Sequence, residues 1–539
     1  MHVLKKLIEN WLDNASEKSY QAVFCQMLIQ QGYTVIHTTR HCPIEYGKDV
    51  IAIAPDGIAC AYQLKGNPGS RLTLTQYRDI APQLFELVNQ VIEHPQIKDN
   101  KSHRAYLVTN GHIDEEAQQA IVQQNAKNEN DGYPDRRLET ITRDQLLIWS
   151  YELEDSLWPS ELEDIKLLLE LLTQAGDEIF PLDIWNKLLT HVLKLSKDDK
   201  ECSTAEFSRR VSSSALLTAV ALTTYSEKKN HWAIISAWTM LSIYLISATE
   251  KYKKSEKLIS DTLILAEEAI FNELYSLVEE VLDTKGYLTE GNEMADFAVY
   301  KWRYTILVGL CSVFWLWAEK DNLWPDEEFK SRLKAFIPDN QDEMDLWGEA
   351  AIPQFLSHIW QILSNGNKKK SEELTNNLLK FCVHESLPIV YYDADEVIRH
   401  RLAQSLEYFD PCFEEPPKEL SWFAQQLFLH MVYRDLKEFC SNLWPEYSRS
   451  TVSVSFIPDE SWQFCLYRTE FGENKSYVPP VTGDWNKLKS EASESASIIV
   501  SQSLLQRPVL LWLWCFLCPQ RALSPVISHV FSSLTERKE

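Results

Sequence analysis

Glycine is scarce in this sequence, at 15 of 539 residues, which excludes a collagen-like or glycine-rich low-complexity chain. Positive charge is also in deficit. Lys and Arg number 53 against 78 Asp and Glu, a formal net charge of -25, which argues against a general nucleic-acid coat or a polybasic membrane-surface protein. The first ten residues, MHVLKKLIEN, lack the apolar core of a signal peptide. The eleven cysteines are odd in number and scattered through a long chain, so they read as reduced thiols and not as a disulfide framework. Together these features predict a cytoplasmic protein. No apolar run reaches the roughly 20 residues of a spanning helix. Trp232–Thr249 is uncharged over 18 residues and Tyr304–Ala318 over 15, and Ser236, Thr239, Ser242 and Ser247 dilute the first. Both read as buried helices, and no membrane partner is expected. No P-loop, GxGxxG or Ser-His-Asp pattern is present.

What is present is a large apolar fraction, 45%, with 18 Trp, enough for sizeable cores. The acidic excess is unevenly spread. Residues 1–150 hold 15 Lys and Arg against 18 Asp and Glu, which leaves 38 against 60 for the remainder. The pattern of elements changes at the same place. Before it, short β-rich runs (34–39, 50–54, 58–64, 105–109, 138–141) alternate with helical segments (3–31, 73–94, 113–126, from 143). After it, helical periodicity dominates. The alternation of Val452, Val454 and Phe456 with Ser and Thr, followed by Trp462–Phe471, predicts a β-hairpin over 451–471. The expectation is an α/β domain over 1–150, a mixed sheet flanked by helices, followed by a large mostly α-helical region over 151–539. Leu-Trp-Pro occurs at 157–159, 323–325 and 443–445, and reads as a Trp closing a helix before a proline stop.

The informative stretch runs from Glu45 to Gly66. Pro55, Asp56 and Gly57 suit a type I turn followed by a left-handed glycine, the three-residue hairpin with a glycine bulge. In that register Ala54 faces Ile58, and Asp49 lies opposite Gln63 on one face. Lys65, two residues on, shares that face. A two-residue turn would shift the register by one and separate Asp49 from the others. A carboxylate and an amide or carbonyl oxygen are hard ligands suited to Mg²⁺. Such an ion lowers the pKa of bound water and neutralises a phosphate, and a nearby lysine stabilises developing charge.

The arrangement Asp49…Gln63-Leu64-Lys65 resembles the PD-(D/E)xK nuclease superfamily, and within it the Mrr-type restriction endonuclease branch, whose third motif is Gln-x-Lys. The resemblance covers roughly residues 15–150 and extends to Tyr20-Gln21 with Gly32-Tyr33, to Tyr106–Gly111 and to Leu138–Leu147. It implies a restriction-endonuclease-like fold and a metal-dependent DNA endonuclease, the effector of a bacterial restriction or anti-phage system. It implies Asp49, Gln63 and Lys65 as catalytic residues. Asp49, Gln63 and the backbone carbonyl of Leu64 would hold Mg²⁺ or Mn²⁺. The family often carries a Glu on its first helix. The matching position here is Gln21, and Glu17 lies one helical turn earlier on the same face. Glu45 is a further candidate acid.

Lys48, Arg71, Lys101 and Arg104 are candidate contacts to DNA phosphates. Cys515-x-x-Cys518 lies in an apolar segment without a second pair or a His, and reads as core thiols. The acidic helical region is expected to meet a protein partner or a second copy of the chain. The competing reading is a catalytically weak or silent nuclease-fold scaffold that binds DNA or a partner, motivated by Gln21 in place of Glu. A membrane-associated effector is the weaker third.

Overall fold

The computed structural model describes residues 9, 12–38, 48–67, 70–92, 97, 102–157, 162–196, 199, 202–284, 294–339, 344, 346, 349–384, 422–448, 453–456, 460–467, 475–478 and 483–535. The chain forms two compact units, Met1–Asn272 and Glu273–Glu539.

The first unit opens with helix α1 (Glu17–Gln30) and strand β1 (Thr34–Thr38). The hairpin follows as β2 (Val50–Ile53) and β3 (Ala59–Lys65). Then come β4 (Arg71–Leu72), α2 (Leu74–Asn89), β5 (Arg104–Thr109), β6 (His112–Ile113), α3 (Glu115–Asn130), β7 (Leu138–Ile141) and α4 (Arg143–Leu157). Five strands make one mixed sheet in the order β1-β2-β3-β5-β7. The β1–β2 and β2–β3 pairs are antiparallel, and the β3–β5 and β5–β7 pairs are parallel. The parallel strands need crossovers, which α2 and α3 supply. Strands β4 and β6 form a separate short parallel pair.

Both faces of the sheet are covered, as parallel strands require. On one face Ile51, Ala61 and Leu107 pack with Leu84 and Leu87 of α2 and Ile121 of α3. On the other, Phe24 of α1 meets Tyr62 edge-on at 5.2 Å, Tyr62 stacks on Tyr106 at 5.0 Å, and Trp149 of α4 stacks on Phe24 at 6.3 Å. Fully burying one such aromatic is worth about 1.5–3 kcal/mol. Helix α2 starts where Thr73 and Gln76 form a capping box.

The composition change near residue 150 does not close the unit. Phe24, Cys25, Met27 and Leu28 of α1 are all buried. One sheet face cannot cover a helix all round, and the helix Thr204–Ala221 supplies further cover: Gln26 Nε2 donates to Ser212 Oγ at 2.7 Å in a buried bond. The compact unit that holds the sheet thus runs past the change of pattern near 150, to Asn272. The remaining helices of this unit include Leu162–Leu172, Leu182–Leu193 and His231–Lys251. The last is the one described helix long and apolar enough to cross a membrane, and 94% of that apolar window is buried inside the chain.

The second unit is mostly helical, with long helices at Met294–Asp321, Ile352–Ser364, Lys368–His384 and Trp422–Tyr433. Trp360 and Trp512 meet at 4.5 Å, and Trp512 Nε1 donates to Ser357 Oγ at 2.7 Å. Cys515 and Cys518 are both buried, as expected of core thiols. The hairpin expected over 451–471 is corrected in its second strand. Ser453–Phe456 pairs antiparallel with Lys475–Val478, while Ser461–Phe464 is a short helix. Glu460 and Gln463 form a capping box there, and Phe464 and Trp462 are buried. Pro445 also departs from expectation: it lies within the helix Lys437–Tyr447 and does not end it.

Candidate active site

The site is built by the hairpin turn. The amide of Ala54 donates to the carbonyl of Ile58 at 2.9 Å, and that of Gly57 to the carbonyl of Ala54 at 2.8 Å. Gly57 takes φ +84°, a left-handed conformation that glycine reaches without a Cβ penalty. Asp56 Oδ1 accepts from the amide of Ile58 at 3.1 Å, and the turn is closed. The register follows: Ile53 faces Ala59, Ala52 faces Cys60, Ile51 faces Ala61 and Val50 faces Tyr62. One step further, Asp49 arrives beside Gln63.

There the β2 ladder ends and side chains take over. Asp49 Oδ2 accepts from Gln63 Nε2 and from the amide of Leu64, both at 2.6 Å. The Leu64 backbone thus faces the side that β2 has vacated. Gln63 is 3% exposed, and its Oε1 is buried with no hydrogen-bond partner. A buried acceptor without a donor is costly, by about 1–3 kcal/mol. A hard cation beside Asp49 would satisfy it. The donor set of carboxylate, amide oxygen and carbonyl therefore fits a divalent ion. Among the described residues no group of three or more His, Cys, Asp and Glu is gathered for a metal.

Lys65 closes the strand at the same end. Its Nζ lies 3.9 Å from Glu17 Oε2, and the same carboxylate oxygen accepts from the amide of Gly66 at 3.3 Å. Of the two helix residues considered, Glu17 makes these contacts at the strand end, and Gln21 is half-buried one turn along α1. Gly66 allows this approach, because a Cβ there would sit 2.9 Å from the backbone nitrogen of Glu17.

Four further residues, Tyr20, Asn67, Thr109 and Asn110, fix this end of the sheet. The hydroxyl of Tyr20 is 3.1 Å from both the amide and the carbonyl of Lys65 and 3.3 Å from the carbonyl of Val108. Burial, and then the charge of Glu17, holds the Tyr20 hydroxyl well above its ordinary pKa, so it stays protonated. Buried Asn110 donates to the carbonyls of Leu12 and Ala15, each at 2.8 Å, and accepts from the amide of Asn67 at 2.9 Å. Asn67 Oδ1 in turn accepts from Thr109 Oγ1 at 3.2 Å. Sequence reasoning placed Tyr20 and Asn110 within the resemblance but assigned them no task. Their signal was a polar group in an otherwise apolar segment.

The candidate phosphate contacts divide. Arg71 lies at the site end, with its side chain 71% exposed and 3.7 Å from Asp114. Arg104 lies at the other end. It pairs in register with Cys60, whereas Lys65 pairs with Thr109, five residues or roughly 16 Å away. Its guanidinium binds Asp56 of the turn at 2.6 Å. Lys48 is buried at 4% exposure, and desolvation, opposed by the charge of Glu86, pushes its ammonium down to about 8. Neither Arg104 nor Lys48 is brought to an exposed face beside Lys65. Glu45 and Lys101 lie outside the described residues.

What the fold and site define is a mixed-sheet α/β unit with a carboxylate, an amide and an ammonium at the end of its central strand. No protein-family model, curated protein or solved structure matches the chain.

Proposed function

We propose that this chain is a metal-dependent DNA endonuclease hydrolysing phosphodiester bonds, the effector of a bacterial restriction or anti-phage defence system. The observation that carries the reading is the convergence of Asp49, Gln63 and Lys65 at one strand end, with Gln63 Oε1 buried and unsatisfied. Asp49, Gln63 Oε1 and the Leu64 carbonyl would hold Mg²⁺ or Mn²⁺. A cation bound there would acidify a water and neutralise the scissile phosphate. It would also offset Asp49 and Glu17, whose charges repel an approaching phosphate. Lys65 orients the attacking water and stabilises charge developing on the phosphate. Arg71 holds a neighbouring phosphate. The acidic helical region contacts a protein partner or a second copy, and repels DNA from itself.

The test is nicking of supercoiled plasmid with Mg²⁺ by the full chain and by Lys65→Ala. The parent is expected to nick, and Lys65→Ala to lose at least about 100-fold in rate. Equal cleavage by both contradicts the assignment. One observation favours a second reading, the catalytically silent scaffold. Asp49 Oδ2 already accepts two N–H bonds and is held without a cation. A chain that binds DNA but leaves it intact across Mg²⁺ and Mn²⁺ would support that reading.

A further inference from the structure

On the nuclease reading above, we propose that Tyr20 is a positioning residue for Lys65, and that α1 sets where the lysine stands. The hydroxyl of Tyr20 sits between the ends of β3 and β5. It accepts from the Lys65 amide at 3.1 Å and has the Lys65 carbonyl at 3.1 Å and the Val108 carbonyl at 3.3 Å for its one proton. A single atom therefore touches both backbone polar groups of the lysine. That restricts rotation of the peptide planes on either side of its Cα, which aim the side chain.

The hydroxyl can act as a fixed point because its own ring does not move freely. Tyr20 is 1% exposed. Its helix is held on one side by Phe24 against Tyr62 and on another by the buried Gln26–Ser212 bond. Glu17, one turn earlier on the same helix, reaches Lys65 Nζ and the Gly66 amide. One helix thus holds both the backbone and the head group of the lysine. A misplacement of about 1 Å at a reacting group costs on the order of 100-fold in rate, so such a brace has catalytic consequences without touching substrate.

Tyr20→Phe removes the hydroxyl and keeps the ring, and full chains are compared at matched folded fraction by circular dichroism. Three readouts are taken. Amide hydrogen exchange at Lys65 is expected to speed up about tenfold. Acylation of Lys65 by an amine-directed succinimidyl ester, read by mass spectrometry, is expected to rise several-fold while other lysines are unchanged. In plasmid cleavage kcat is expected to fall about tenfold, with KM within about twofold of the parent. Unchanged exchange and labelling would overturn the role of Tyr20, as would faster exchange with an unchanged kcat. A parent chain that cuts no DNA contradicts the nuclease reading, while exchange and labelling still decide whether Tyr20 holds Lys65.

Discussion

At the scale of single residues, the site separates groups that hold from groups that act. Asn110 holds. Its amide satisfies two carbonyls and one N–H, all buried. Asn110→Ala strands these groups and is expected to cost about 2–3 kcal/mol, seen as a lower urea midpoint. Arg71 and Arg104 divide by position. Arg71→Ala is expected to weaken DNA binding several-fold and to lower its salt dependence, while Arg104→Ala leaves binding unchanged, both measured by fluorescence anisotropy. The four residues Asp49, Gln63, Lys65 and Gly57 were legible in the sequence because their relation is local and set by a turn. Arg104 was not, since proximity in sequence to a strand does not say which end of the sheet is meant. Nor was Asn110, whose partners lie 95 and 98 residues away along the chain.

At the scale of elements, the hairpin decides the chemistry. Side chains alternate along a strand, so register and site are one fact. Deleting Asp56 shortens the turn by one residue and removes the Arg104 pair. The expected product is a folded chain whose cleavage falls to background, with Asp49 turned to the opposite face from Lys65. Retained cleavage in that deletion would contradict the register argument. The two-residue strands β4 and β6 were missed, but the five strands of the main sheet and the crossover helices were read within a few residues of their observed ends, because turn residues and caps mark them. The strand Lys475–Val478 was not. Its pairing with Ser453–Phe456 is a tertiary choice, and the nearer candidate around Trp462 is drawn into a capped helical turn.

At the scale of the whole molecule, the net charge of -25 belongs mostly to the residues after 150. The sheet of the first unit nevertheless shares its core with helices beyond that point. Composition marked where strands give way to helices, but could not say which helices cover α1. The second unit carries its own pH signature. His430 is completely buried with Nδ1 on Ser528 Oγ at 3.1 Å, and burial, then Arg434, pushes it down to about 3. Burial and Lys370 lower His358 to about 4. Both stay neutral in the folded chain, whereas the unfolded chain takes up their protons near 6.5. The unfolded state therefore binds more protons across the interval below 6.5, and stability falls as pH falls, by up to about 1.4 kcal/mol per pH unit per histidine. Urea midpoints followed by tryptophan fluorescence should drop from about pH 7 to about pH 5, and His430→Gln should flatten that slope.

The measurement that bears most directly on the proposed site is calorimetric titration of the full chain and of Asp49→Ala with Mn²⁺ and Mg²⁺. The account predicts binding by the parent at or below millimolar ion and at least about tenfold weaker binding by Asp49→Ala. No binding at millimolar ion, or binding that Asp49→Ala leaves unchanged, would contradict it.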